Sequence, residues 1–199
     1  MMQPSYSSQK TKDLVMMAVF FAIIFLQSWI PTLGYVTFGT ISLTFIQVSV
    51  IVATLILGTK NGMIVGGFWG LMAMIVAYLR GAPFERLVFT NPLISMLPRI
   101  LMPLILGIIV TVLLNKFKND KFIGVIAGLV GSLLNTSLVL LALGLFAGDS
   151  FVQTIPNAQV SELWTIIGGI IVANGIPEAI LSTFLTPLIY VALRRIRRN

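Results

Sequence analysis

An all-α integral membrane protein, a bundle of six transmembrane helices with both termini cytoplasmic, is the fold this sequence predicts. Three observations carry that expectation. Apolar residues gather into about six blocks, each long enough to cross ~30 Å of hydrocarbon at ~1.5 Å per helical residue. Charge is nearly confined to the gaps between them: 57% of the chain is hydrophobic and 10% charged, with a mean hydropathy of +1.01. The Lys and Arg residues then fall mostly on one side of the predicted membrane. With about 120 residues in lipid, a chain of 199 residues has no room for a soluble domain, so 1–199 is expected to form one unit.

The first crossing, 13–32, follows a basic end and resembles a signal peptide in outline. Five further blocks and the absence of a small-residue cleavage site make it a retained crossing. It carries Ala18 and Ala22, a small-residue strip with no polar residue between Val15 and Leu26. The second crossing, 41–58, contains Gln47, and Gly58-Thr59-Lys60-Asn61-Gly62 predicts a tight turn into the third, 61–80. There Gly62, Gly66 and Gly70 recur every fourth residue, the spacing of a close helix contact. Asn91 introduces the fourth crossing, 92–114, in which Arg99 follows Pro98. The polar turn from Lys116 to Lys121 leads to the fifth, 122–147, with Gly124, Gly128, Asn135 and Thr136. The sixth, 163–193, contains Asn174, Pro177 and Glu178 and is long enough to be tilted or kinked.

Orientation follows from counting cations. Lys10, Lys12, Lys60, Lys116, Lys118, Lys121 and the arginines 194, 195, 197 and 198 share one side, against Arg80 and Arg86 on the other. The positive-inside rule makes the rich side cytoplasmic. Loop 33–40, segment 81–91 and connection 148–162 then face outward.

Composition also excludes. The formal charge of +7 and pI near 10.2 do not indicate nucleic acid, because the basic residues mark helix ends, where they anchor to anionic lipid headgroups. Without cysteine or histidine there is no disulfide, no thiolate or imidazole metal ligand, and no Ser-His or Cys-His pair. A Ser-Lys arrangement remains conceivable for an intramembrane enzyme, but the lysines lie at termini and turns. No P-loop is present, so the chain itself does not use ATP by that route. No internal inverted repeat is evident either, unlike large secondary transporters.

Polar residues inside lipid are functional candidates by default. They are Gln47, Asn91, Arg99, Asn135, Thr136, Asn174 and Glu178, with Trp69, Tyr78 and Trp164 as amphipathic aromatics. Arg99 and Glu178 admit two readings: an ion pair that cancels two buried charges and sets helix register, or an Arg99 fork for a substrate carboxylate. Asn135 and Asn174 either hydrogen-bond between helices or serve a ligand with amides and hydroxyls.

Six short helices, the Ala18/Ala22 strip, an outer loop after the first helix, and no energy-coupling motif together resemble the substrate-binding S components of energy-coupling factor (ECF) vitamin transporters. Leu57-Gly58-Thr59-Lys60-Asn61-Gly62, Leu97-Pro98-Arg99-Ile100 and Asn174-Gly175-Ile176-Pro177-Glu178 look most like the branch that includes the pantothenate-specific S components. The resemblance implies a multi-pass subunit of a bacterial cell membrane that captures a water-soluble vitamin outside, topples, and releases it inward in complex with a T component and two cytosolic ATPases. Ala18 and Ala22 match the family's T-component contact, and loop 33–40 its lid. Gln47, Trp69, Asn91, Arg99, Asn135 and Asn174 are the expected substrate contacts, with no cofactor and no catalytic residue. Metal uptake, which in this family uses an N-terminal histidine, is disfavoured. Alternative substrates are a pyridoxine-like or hydroxymethylpyrimidine precursor, riboflavin or folate; a structural membrane subunit is a further alternative.

Overall fold

A computed structural model describes residues 6–38 and 41–198. Helices dominate: α1 (Tyr6–Trp29), the single turn α2 (Pro31–Gly34), α3 (Ile46–Leu57), α4 (Thr59–Arg80), α5 (Pro83–Phe89), α6 (Pro92–Ser95), α7 (Leu97–Lys116), α8 (Asp120–Val152), α9 (Leu163–Ile170) and α10 (Ile176–Arg198). Among the described residues, five helical stretches are long and apolar enough to cross a membrane: Gln9–Trp29, Thr59–Arg80, Pro92–Leu113, Asp120–Val152 and Val160–Arg197.

The second expected crossing differs. Residues 41–44 form not helix but strand β2 (Ile41–Thr44), paired antiparallel with β1 (Tyr35–Phe38) in the register Tyr35 to Thr44. The run Tyr35-Val36-Thr37-Phe38 and Ile41-Ser42-Leu43-Thr44 is rich in the β-branched and aromatic types that favour strands. That leaves α3 with 12 residues, ~18 Å of helix, short of the ~30 Å of a bilayer core. α3 is instead the axis of the bundle, buried at all of its residues except Ser49. Gly39 and Thr40 of the expected lid loop lie outside the described residues.

The turn expected over 58–62 is tighter than that. Gly58 alone makes the junction, at φ +85° where a side chain would be strained, and α4 begins at Thr59. Lys60, Asn61 and Gly62 are therefore helical. The α4 glycines do mark a packing face: a Cβ at Gly66 would lie 2.0 Å from the Arg99 carbonyl oxygen, and one at Gly70 would lie 2.6 Å from Met96 Cα. Gly124 and Gly128 admit α10 in the same way, at Pro187 and Ser182.

The last expected crossing is broken. Ile171–Gly175 forms a π-helical turn between α9 and α10. Pro177 follows at once, and its missing N–H and its ring disfavour a regular α turn there, which the wider turn accommodates. α8 likewise runs past its expected end at 147 through a kink at Ala147 (φ −145°, ψ 17°).

α1 is the least covered long helix. Ala18 and Ala22 are exposed, as are Leu14, Val15, Phe25 and Leu26. Phe20 and Ile24 on the opposite side are buried in the core with α3.

Candidate functional site

The end of the bundle away from Asp13 and Arg197 encloses a cavity of about 580 Å³, within the ~300–1,000 Å³ usual for small-molecule sites. Its walls come from the ends of α1 and α4, the β hairpin, α5, and the facing stretches of α7, α8 and α10 with the π turn.

Arg99 enters from the first turns of α7. Its guanidinium donates to the carbonyls of Ile94 (3.2 Å) and Ser95 (2.7 Å) and lies over the rings of Trp69 (4.7 Å) and Phe89 (5.3 Å). The two rings fix the plane of the fork and stabilise its charge by cation–π attraction. Arg99 is only 6% exposed, and its Nε has no hydrogen-bond partner among the described residues.

Glu178, also 6% exposed, enters from α10. One of its oxygens accepts from the Thr44 N–H of the hairpin (2.8 Å), the other from the Thr136 hydroxyl (3.2 Å). No ion pair joins Arg99 to Glu178; the ion pairs among the described residues are Arg194 with Asp120 and Arg197 with Asp13. The structural-pair reading therefore gives way: each charge is held by local dipoles, and both line the same cavity.

Asn135 and Asn174 line it as well. Asn135 donates from Nδ2 to Gln47 Oε1 (3.1 Å), while its Oδ1 has no partner among the described residues. Asn174 sits in the π turn, which rotates it out of the regular helical stripe, and its Oδ1 is likewise unpaired. Trp69, 2% exposed, adds an indole Nε1–H with no acceptor among the described residues. Two donors and two acceptors thus remain unused around one space, where a buried polar group ordinarily finds a partner.

Two expected contacts belong elsewhere. Gln47 is fully buried behind the cavity wall, donating to Ser132 (3.0 Å) and Ser182 (3.4 Å) and accepting from Asn135, so it positions Asn135 and does not face the cavity. Asn91 accepts from Leu93 N–H (3.0 Å) as the N-cap of α6 and is not part of the lining. Tyr78 and Trp164, 72% and 54% exposed, point outward.

Other lining residues are not among the expected contacts, although Tyr35 lies in the expected lid loop 33–40 and Phe89 in the outward segment 81–91. Tyr35 and Thr44 come from the hairpin, Phe89 from α5, and Ser28 from the end of α1. Burial, partly offset by Arg99, pushes the Tyr35 hydroxyl above its ordinary range, so at neutral pH it stays a protonated donor. Arg80 donates to the carbonyls of Ser28 (3.0 Å) and Trp29 and lies over the Trp29 ring (4.8 Å), closing the end of α1 onto α4. Thr44 had one available signal: a polar residue ending an alternating apolar run beside Gln47.

Comparison with known proteins supplies the family. Residues 12–190 match the family model "ECF transporter, substrate-specific component". The chain is 35% identical over 192 residues to the pantothenate transporter PanT of Leuconostoc mesenteroides subsp. mesenteroides, covering 92% of each chain. It is 26% identical over 204 residues to the pantothenic acid transporter PanT of Lactococcus lactis subsp. cremoris, covering 96% of this chain and 97% of the relative. Transporter relatives in bacteria and five long apolar helices make this a multi-pass protein of the cell membrane. With a family match over most of its length, the chain belongs to the substrate-specific components of ECF transporters, a family of transport subunits and not of enzymes.

Proposed function

We propose that this chain is the pantothenate-binding subunit of an ECF importer, with six crossings (the five long helices and a second crossing made by β2 and α3 together), both termini cytoplasmic and the cavity open to the outer side. The observation that carries the reading is the donor and acceptor set around the cavity. Arg99, backed by Trp69 and Phe89, offers a fixed cation to a carboxylate. Trp69 Nε1, Asn135 Oδ1 and Asn174 Oδ1 offer one further donor and two acceptors to an amide and hydroxyls. Pantothenate carries one carboxylate, one amide and two hydroxyls on a branched aliphatic frame. The names of the two relatives favour the same vitamin.

Equilibrium binding of radiolabelled pantothenate to the purified chain tests this, with riboflavin, folate and pyridoxine as competitors. Saturable binding displaced by pantothenate alone is expected. Displacement by another vitamin and not by pantothenate overturns the substrate.

Transport in this reading needs partners, because a conformational cycle requires a source of differential free energy and the chain has no P-loop. A T component would dock on the exposed Ala18/Ala22 face of α1, and two cytosolic ATPases would drive toppling and inward release. Ala18→Trp is expected to abolish uptake by the assembled transporter while leaving pantothenate binding by the isolated chain unchanged, since a bulky side chain holds helix backbones apart. Loss of binding in that variant would instead make the strip part of the chain's own packing.

A further inference from the structure

We propose that Glu178 determines ligand specificity in the cavity. It is a fixed carboxylate that limits the ligand to one negative charge and orients it, anionic end toward Arg99 and hydroxyl-bearing end toward Glu178. The inference rests on the cavity being the vitamin site proposed above.

Glu178 is held from two directions. Its oxygens accept separately from Thr44 N–H at 2.8 Å and from Thr136 Oγ1 at 3.2 Å, so it is tied to β2 and to α8 while standing on α10. Arg99 is tied just as firmly, by the Ile94 and Ser95 carbonyls and by two rings. Neither side chain is free to swing toward the other, and α7 and α10 have no substantial packing between them. The cavity therefore presents Arg99 and Glu178 from different walls, and its two other charged lining residues are engaged locally, Arg80 by the Ser28 and Trp29 carbonyls and the Trp29 ring, Glu85 by the Ala82 N–H.

A ligand lying between them meets opposite fields at its two ends, and low local dielectric makes both fields stronger than in water. A carboxylate has about four lone-pair positions. Two are engaged by Thr44 and Thr136, which leaves capacity for a ligand hydroxyl to donate. A second anionic group at that end would meet the Glu178 carboxylate, while the second lining cation, Arg80, is taken up by the Ser28 and Trp29 carbonyls at the end of α1, so the contact is repulsive and of the kind that rejects wrong partners. Esterifying a hydroxyl with phosphate introduces that group.

The test uses the purified full chain and displacement of radiolabelled pantothenate by three unlabelled compounds: pantothenate, the phosphate ester of its primary hydroxyl, and the neutral acetate ester of the same hydroxyl. Wild type is expected to bind the phosphate ester at least about tenfold more weakly than the acetate ester. Glu178→Gln keeps the size of the side chain and an acceptor for Thr44, and is expected to bring the two esters to within about threefold of each other.

Equal affinity of the two esters for wild type overturns the proposal, as does a gap that persists undiminished in Glu178→Gln. The ester comparison in wild type needs no variant to fold. Absence of saturable pantothenate binding to wild type is a different result, and it overturns the site assignment beneath the proposal.

Discussion

Arg194 and Arg197, at one end of the bundle, each meet a carboxylate, Asp120 and Asp13; Arg99, toward the other end, meets two backbone carbonyls and two aromatic rings and no acid. The paired arginines are partly open to solvent, with side chains 27% and 30% exposed, where a salt bridge adds little and holds helix ends together. Arg194 also donates to the Tyr190 hydroxyl (2.8 Å), and Arg197 to the Ile56 carbonyl. Arg99 is the more buried and the less neutralised. Burial of an ion without a counter-ion is unfavourable, and the proposed function has that charge met by the ligand's own carboxylate. The same residue type fastens the structure at one end and, in the proposed reading, is held ready for binding at the other.

Removing Arg99 is the strongest way to break that contrast. Arg99→Gln is expected to weaken pantothenate binding by on the order of a hundredfold, about 2.7 kcal/mol, because a buried, hydrogen-bonded counter-charge is lost. The alcohol analogue pantothenol should lose far less. The melting temperature should move little, since Glu178 keeps its bonds to Thr44 and Thr136. Isothermal titration with acid and alcohol, beside thermal unfolding, reads both. An equal loss for the two ligands would show that Arg99 only shapes the cavity.

A smaller effect is expected where binding and packing share one contact. A methyl group at Gly66 would meet the Arg99 carbonyl oxygen at 2.0 Å, a backbone atom that can yield only if α4 and α7 move apart. Gly66→Ala should cost roughly 1–3 kcal/mol of stability and weaken binding as well, because Trp69 on α4 and Arg99 on α7 form one wall. Binding and stability fall together here, whereas in Arg99→Gln binding falls alone. Unchanged unfolding of Gly66→Ala would mean that the α4–α7 seam is looser than its geometry.

The difference between the two ends was partly legible in the sequence. Long apolar blocks, glycines four residues apart and arginines at a chain end follow local rules, and α4, α7, α8 and their seams sit where those rules put them. Arg99, Trp69, Asn135 and Asn174 stood out because polar or amphipathic groups in hydrocarbon need a reason. What remained hidden depended on three dimensions. Whether Arg99 pairs with Glu178 is decided by Thr44, a residue 134 positions from Glu178 whose backbone N–H takes one carboxylate oxygen. Gln47 had the composition of a ligand contact, yet Ser132, Ser182 and Asn135 engage it behind the wall. The hairpin was hidden in apolar composition that suits helix and strand alike, and only its alternating polar residues separated the two.

The smallest expected effect lies at the end where charges are paired. Arg197 donates to Asp13 at 2.9 Å across α10 and α1, and both side chains are about a third exposed (30% and 28%). Pairs in such settings contribute roughly 0.2–1 kcal/mol and weaken with salt. Arg197→Ala alone should cost more than Asp13→Ala, because it also removes the donor to the Ile56 carbonyl at the end of α3. A double-mutant cycle with Asp13→Ala separates the two terms, since the coupling energy contains only what the pair shares. The expected result is a coupling within that small range, reduced in high salt, with pantothenate affinity unchanged in all three variants because the cavity lies at the other end. A change in affinity that follows the coupling would tie the two ends through α1, and the division between a fastening end and a binding end would have to be redrawn along that helix.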